Sequence, residues 1–151
     1  MEDRNVRTID AVQDGDTLTE ILKSGGSVPL IVTGTSMTPY LRNGRDTVIL
    51  QKTDHLKTGK ILFFRRNNGD FVLHRVRKLL PNGRLLMNGD AQNWCEIITK
   101  DQILAEAIRI RRKNGKEIPA NGAVSRLWNL LWFPTRPIRP FIWKMWAWLK
   151  K

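Results

Sequence analysis

The 151-residue chain carries 26 Lys and Arg against 14 Asp and Glu, a formal net charge of +12, and 41% of its residues are apolar. That length fits one domain with a real core, and that apolar content excludes a chain disordered over most of its length. A single cysteine, Cys95, excludes an internal disulfide framework and fits a reducing compartment. We read it as a half-buried thiol in preference to the nucleophile of a Cys–His protease.

The opening stretch MEDRNVRTIDAVQDGD is polar and has no apolar signal-peptide core. No window reaches the roughly 18 uninterrupted apolar residues of a membrane span. A cytoplasmic location is therefore expected. The charge is unevenly spread. From Arg109 to Lys151 there are eleven Lys and Arg against one acid, Glu117. Five of the six Trp also lie there, at positions 128, 132, 143, 146 and 148. The first 108 residues, with fifteen Lys and Arg against thirteen acids, are nearly neutral. The chain divides into a β body over 1–120 and a basic, aromatic tail over 121–151.

In chain order, DTLTEILKSGG reads as a short helix, with Thr17 and Glu20 matching a capping box and Gly25-Gly26 as its stop. SVPLIVTG reads as a strand. SMTPYL reads as a helical turn with Pro39 tolerated in its first turn. RDTVILQKT is a strand. GKILFFRRNNGDFVLHRVRKLL reads as two strands joined at Asn67–Asp70. PNGR is the next turn, LLMNGD another strand, and DQILAEAIRIRRKNGKEI one or two more around Asn114-Gly115. Short strands at close spacing predict a mainly β body, a partly closed antiparallel sheet with one short N-terminal helix.

After Gly122, AVSRLWNLLWF places apolar residues at 124, 127, 128 and 131, with Ser125, Arg126 and Asn129 on another face. Pro134, Pro137 and Pro140 interrupt the pattern, and FIWKMWAWLKK reads as a second short helix. Two amphipathic helices bordered by Arg and Lys suit an anionic membrane surface, with Trp128, Trp132, Trp143, Trp146 and Trp148 at the interface. Packing of the tail on its own body, or on a partner chain, is the alternative. The expected location is then the inner face of a membrane, held peripherally.

Candidate chemistry centres on Ser36 in GTSMTP. A serine at a strand-to-helix turn exposes its hydroxyl while its backbone N–H faces a developing oxyanion, helped by the helix dipole. It needs a base within reach. His55 lies in the polar stretch TDHLKTG. His74 lies in DFVLHRVRKL, where Val72, His74 and Val76 share one face and Phe71, Leu73 and Arg75 the other. On that face His74 is either a core histidine or a placed base. Lys52, Lys57 and Lys60 offer a Ser–Lys arrangement, though a lysine just before ILFF is most simply solvated. No His/Cys/Asp/Glu set has metal-ligand spacing and no Gly-rich loop has a phosphate signature, so no metal or cofactor is expected.

The order Ser36-Met37 with Pro39, then His74-Arg75-Val76, then Gly89-Asp90-Ala91 resembles the signal peptidase I superfamily over about residues 30–112. That superfamily holds signal peptidases and self-cleaving repressors. The resemblance implies a serine endopeptidase with Ser36 as nucleophile. Most members use Lys as base, where this chain has His74, as in the eukaryotic and spore-former branch. It implies Asp90 as the third member of a triad; Glu96 is a weaker substitute. Gly34 stands where signal peptidases often place an oxyanion serine. The oxyanion hole is then expected from backbone N–H groups around Gly34, Thr35 and Met37. The expected substrate is an extended leader or membrane-proximal peptide. The rivals are a non-catalytic peptide- or membrane-binding protein on the same fold and, through the basic tail, a nucleic-acid binder.

Overall fold

The computed structural model describes residues 15–150; the polar N-terminal stretch before Gly15 lies outside them. Helix α1 (Gly15–Lys23) buries Leu18 and Leu22. It begins two residues before Thr17, so Thr17 and Glu20 lie within it and form no capping box at its start. It stops where Gly25 takes φ +86°, with the Gly25 and Gly26 N–H groups donating to the carbonyls of Leu22 and Ile21. Only glycine adopts that conformation without cost.

Eight strands follow: β1 (Ser27–Ile31), β2 (Thr47–Gln51), β3 (Ile61–Arg65), β4 (Phe71–Leu80), β5 (Arg84–Asn88), β6 (Glu96–Thr99), β7 (Ile103–Arg111) and β8 (Glu117–Pro119). All pairings are antiparallel, in the order β1-β2-β7-β3-β4-β5-β6, with β8 on β7. The sheet is not closed; β1 and β6 are its ends. The turns fall where sequence placed them: Gly69 at φ +97°, Asn82-Gly83 both left-handed, and Gly115 at φ +80°. β6 was not foreseen. Four residues after an irregular stretch leave little alternation to see.

β3 explains the unbroken run ILFF. Ile61 and Phe63 pack in one core, with Leu30, Met37, Leu41, Leu50 and Ala105 among others. Leu62 and Phe64 pack in a second, with Val72, Val76, Leu85, Met87 and Ile98. A strand buried on both faces has no polar alternation.

The tail comprises α2 (Ala123–Trp132), a 3₁₀ segment (Phe133–Ile138) and α3 (Arg139–Leu149). An amphipathic helix ordinarily buries its apolar face. α2 turns in Trp128 alone of its predicted apolar face and leaves the aliphatic residues out. Ser125 is buried and Asn129 faces the sheet, while Val124, Leu127, Leu130 and Leu131 are 56–70% exposed. The reason lies in the surface it covers, a buried charge cluster on β4 that needs hydrogen-bond partners.

Candidate active site

The chain climbs β1, turns at Gly34 (φ +81°) and presents Ser36 half-exposed. The loop is fixed at both ends. The Val32 N–H donates to the Asp46 carbonyl at 2.9 Å, and the Gly44 N–H to the Val32 carbonyl at 2.8 Å. Buried Asp46 accepts from Arg112 at 2.7 Å and from the Arg42 N–H at 2.9 Å. Met37, Tyr40 and Leu41 sink into the core beside it. After Ser36 there is one α-type turn (Leu41 N–H to Met37 carbonyl, 2.9 Å) and no helix, so no helix dipole aims at the hydroxyl. The Gly34 N–H is engaged by Asn43 Oδ1 at 3.2 Å, which removes it from the expected oxyanion donors. Among the described residues, none accepts from the N–H groups of Thr35, Ser36 or Met37. These are the donors that remain.

The loop Asn88–Gln92 buttresses Ser36 from behind. The Ala91 N–H donates to the Ser36 carbonyl at 2.8 Å. A Cβ on Gly89 would stand 2.6 Å from that same oxygen, closer than any side chain tolerates.

His74 occupies the face of β4 that alternation gave it, between Val72 and Val76. It is 1% exposed, edge-on to Phe64 and Trp94. Its Nδ1 stands 3.0 Å from Glu96 Oε1, while neither ring nitrogen has a well-directed hydrogen bond among the described residues. A small rotation of the ring aligns the pair. β5 ends at Asn88, the partner of Arg75, so no β5 residue stands opposite His74 and Glu96 reaches in from the start of β6. Arg66 grips the same carboxylate with two 2.8 Å bonds. Burial pushes the Glu96 carboxyl up, but the hydrogen bonds from His74 and Arg66, with their charges, outweigh it and hold it down at about 2. An ionised Glu96 favours the tautomer with its proton on Nδ1, leaving the Nε2 lone pair free to accept.

Asp90 lies elsewhere. It is fully buried and receives Arg75 through two 3.0 Å bonds, Arg77 at 3.1 Å and the Trp128 indole N–H at 3.1 Å. The carboxylate at His74 is Glu96, not Asp90. Arg75, one residue after His74 and so on the opposite face of β4, carries Asp90 away from the imidazole. Arg139, also buried, adds a third guanidinium nearby, bonded to Asn88 Oδ1 at 3.1 Å and to the Gly89 carbonyl at 3.3 Å.

The tail closes over this cluster. Trp132 donates to the Asp90 carbonyl and Trp143 to the Ala91 carbonyl. Trp128, Trp132 and Trp143 thus turn their indole N–H groups inward, and of the five Trp of the tail Trp146 and Trp148 stand exposed. The other sequence candidates fall away from Ser36. Lys60 is paired with Glu106, and His55 lines a separate cavity with Lys57. Cys95 receives Arg136 at 3.0 Å.

Ser36 and His74 line one cleft of about 170 Å³, with Leu30–Gly34, Met37, Arg66, Phe71–Leu73 and Gln92. No hydrogen bond joins the Ser36 hydroxyl to the ring. Two strand edges that have no partner among the described residues border the cleft. Among the described residues β1 pairs only with β2. Phe71–His74 of β4 pair only with β3, because β5 begins its pairing at Arg75. Arg66, Trp94 and Gln92 were missed as site residues. Each lies in a turn or loop, with no pattern to mark it.

A family model described as Peptidase S24-like matches residues 6–110. No curated protein matches the chain.

Proposed function

This chain belongs to the peptidase S24-like family, and from that premise we propose that it is a serine endopeptidase cutting an extended leader or membrane-proximal peptide. The observation that carries this reading is the shared cleft of Ser36 and His74 between two strand edges that are unpaired among the described residues. An extended peptide adds to such edges through main-chain hydrogen bonds, which brings one of its carbonyls to Ser36. His74 Nε2 takes the hydroxyl proton as Ser36 Oγ attacks that carbon. The oxyanion is met by the free N–H groups around Ser36. The proton then passes to the leaving amine as the C–N bond breaks, and water releases the acyl group by the same route. Glu96 holds the imidazole in the accepting tautomer, the role that the resemblance gave to Asp90.

One observation favours a non-catalytic peptide-binding reading: the hydroxyl and the ring are not hydrogen-bonded. Catalytic contacts are often loose before substrate closes the site. Incubating the full chain with an unfolded protein such as casein separates the two. The endopeptidase reading expects discrete fragments, all lost with Ser36→Ala. No fragments from the folded wild type, or the same fragments from Ser36→Ala, contradict it.

We also propose that the tail holds the enzyme on an anionic membrane surface, on the cytoplasmic side. Supporting this are the outward aliphatic face of α2 and, on α3, Phe141, Met145, Trp148 and Leu149, all 56–74% exposed. Residues 123–150 carry five Arg and Lys and no acid. Each basic residue near such a surface adds about 1 kcal/mol. The chain should sediment with vesicles containing phosphatidylserine and not with neutral ones, and Leu127→Asp with Leu130→Asp should abolish this. Equal sedimentation with both vesicle types, or none, contradicts it.

A further inference from the structure

Helix α3 has two sides. Trp143, Trp146, Ala147 and Lys150 recur at i, i+3, i+4 and i+7, one stripe of a helix. That stripe is not the outward one. It forms a wall of a second groove, about 770 Å³, whose other wall is the Ser36 loop with Ala91 and Gln92. The volume falls within the ~300–1,000 Å³ of ligand sites generally and exceeds what one side chain needs.

Gly34, Ser36 and Gln92 line both this groove and the narrow cleft. Ser36 therefore stands at a junction. On one side run the strand edges; on the other runs the trough under α3. A chain lying along the edges with a carbonyl at Ser36 continues into that trough.

The trough has a definite chemistry. Trp143 is fixed by its 3.0 Å bond to the Ala91 carbonyl, and Trp146 stands edge-on to it at 6.2 Å and 88°. Lys150 sits over the Trp146 ring at 5.0 Å, and no acid lines the groove. The held Trp143 indole and the half-exposed Trp146 packed edge-on against it offer large apolar area. Ala147 leaves the space between them open.

We propose that this groove is a substrate subsite on the far side of the scissile bond from the strand edges. It takes large aliphatic or aromatic side chains of the peptide and disfavours basic ones at its Lys150 rim. The proposal rests on the endopeptidase reading and makes the tail, which lies beyond the family match, a determinant of specificity.

A random decapeptide pool, with products read by mass spectrometry, tests it in the full chain. Wild type should prefer apolar residues at adjacent positions on one side of the cut. Ala147→Trp fills an exposed position and should slow cleavage of those peptides by about tenfold or more. It should leave the reaction of Ser36 with a small phosphonofluoridate within about twofold. Lys150→Glu should shift the rim preference towards basic residues. Identical cleavage profiles in wild type and Ala147→Trp overturn the subsite. A second arm keeps the two readings apart: a fluorescein-labelled leucine-rich decapeptide bound to Ser36→Ala, followed by anisotropy. Binding weakened about tenfold when Ala147→Trp is added supports the groove even if wild type takes no phosphonate and cleaves nothing. Unchanged binding, or none, overturns it.

Discussion

Asp90→Ala destabilises the chain by about 3–5 kcal/mol, the usual cost of removing one partner from a buried ion pair. Here one carboxylate serves Arg75 and Arg77, and Arg139 lies in the same cluster. Burial, with Arg75 and Arg139 adding to it and Asp90 opposing, already brings the Arg77 guanidinium down to about 10. Without Asp90 three buried cations face one another, and the Trp128 indole loses its acceptor. For a chain of this size the loss lowers the melting temperature by on the order of 10 °C. Asp90→Asn should cost nearly as much, because it keeps the shape and removes the charge. A thermal melt of each variant checks this. An Asp90→Asn protein with an unchanged melting temperature and a collapsed cleavage rate would instead return Asp90 to the catalytic machinery.

His74→Ala should lower kcat by roughly 10³-fold while leaving the fold intact, since a general base contributes about 10²–10⁴-fold. Glu96→Gln should cost about 10²-fold or more, because a neutral amide holds the imidazole tautomer less firmly and leaves Arg66 without its counter-charge. The same variant carries a stability signature. The folded Glu96 carboxyl lies at about 2 against an ordinary 4.5. A depressed carboxylate contributes stability that is fully present above the ordinary value and is lost as pH falls through the folded one. The wild-type advantage over Glu96→Gln should therefore hold at neutral pH and shrink between about 4.5 and about 2, read by urea unfolding at stepped pH. A gap that stays constant over that range contradicts the assignment of Glu96 as an ionised partner of His74.

Much of the body was legible because its signals are local. The Asn-Gly turns punctuate the chain, and alternation along β4 placed His74 and Arg75 on opposite faces. The order of Ser36, His74 and Gly89-Asp90-Ala91 led to the family that the comparison supports. What sequence could not carry was the pairing across elements. His74 and Glu96 are 22 positions apart and meet only because β5 stops at Asn88. Asp90 looked like the triad acid by its place in the order, yet the arginine beside His74 claims it. The tail inverted for the same reason. Periodicity set Trp128 with the aliphatic residues and Arg126 with Ser125 and Asn129, but the buried cluster on the sheet drew in Ser125, Trp128 and Asn129 together and left Arg126 outside. With Ser125 and Asn129 bonded inward, the aliphatic side was left outward.

The most direct test of the central claim is labelling of the full chain with a serine-reactive phosphonate across roughly pH 6 to 9, mapped by intact mass and peptide sequencing. A Ser36 nucleophile activated by His74 predicts a single adduct on Ser36, absent in Ser36→Ala and strongly slowed in His74→Ala. A folded wild type that takes no label, or a His74→Ala variant that labels as fast, would contradict it.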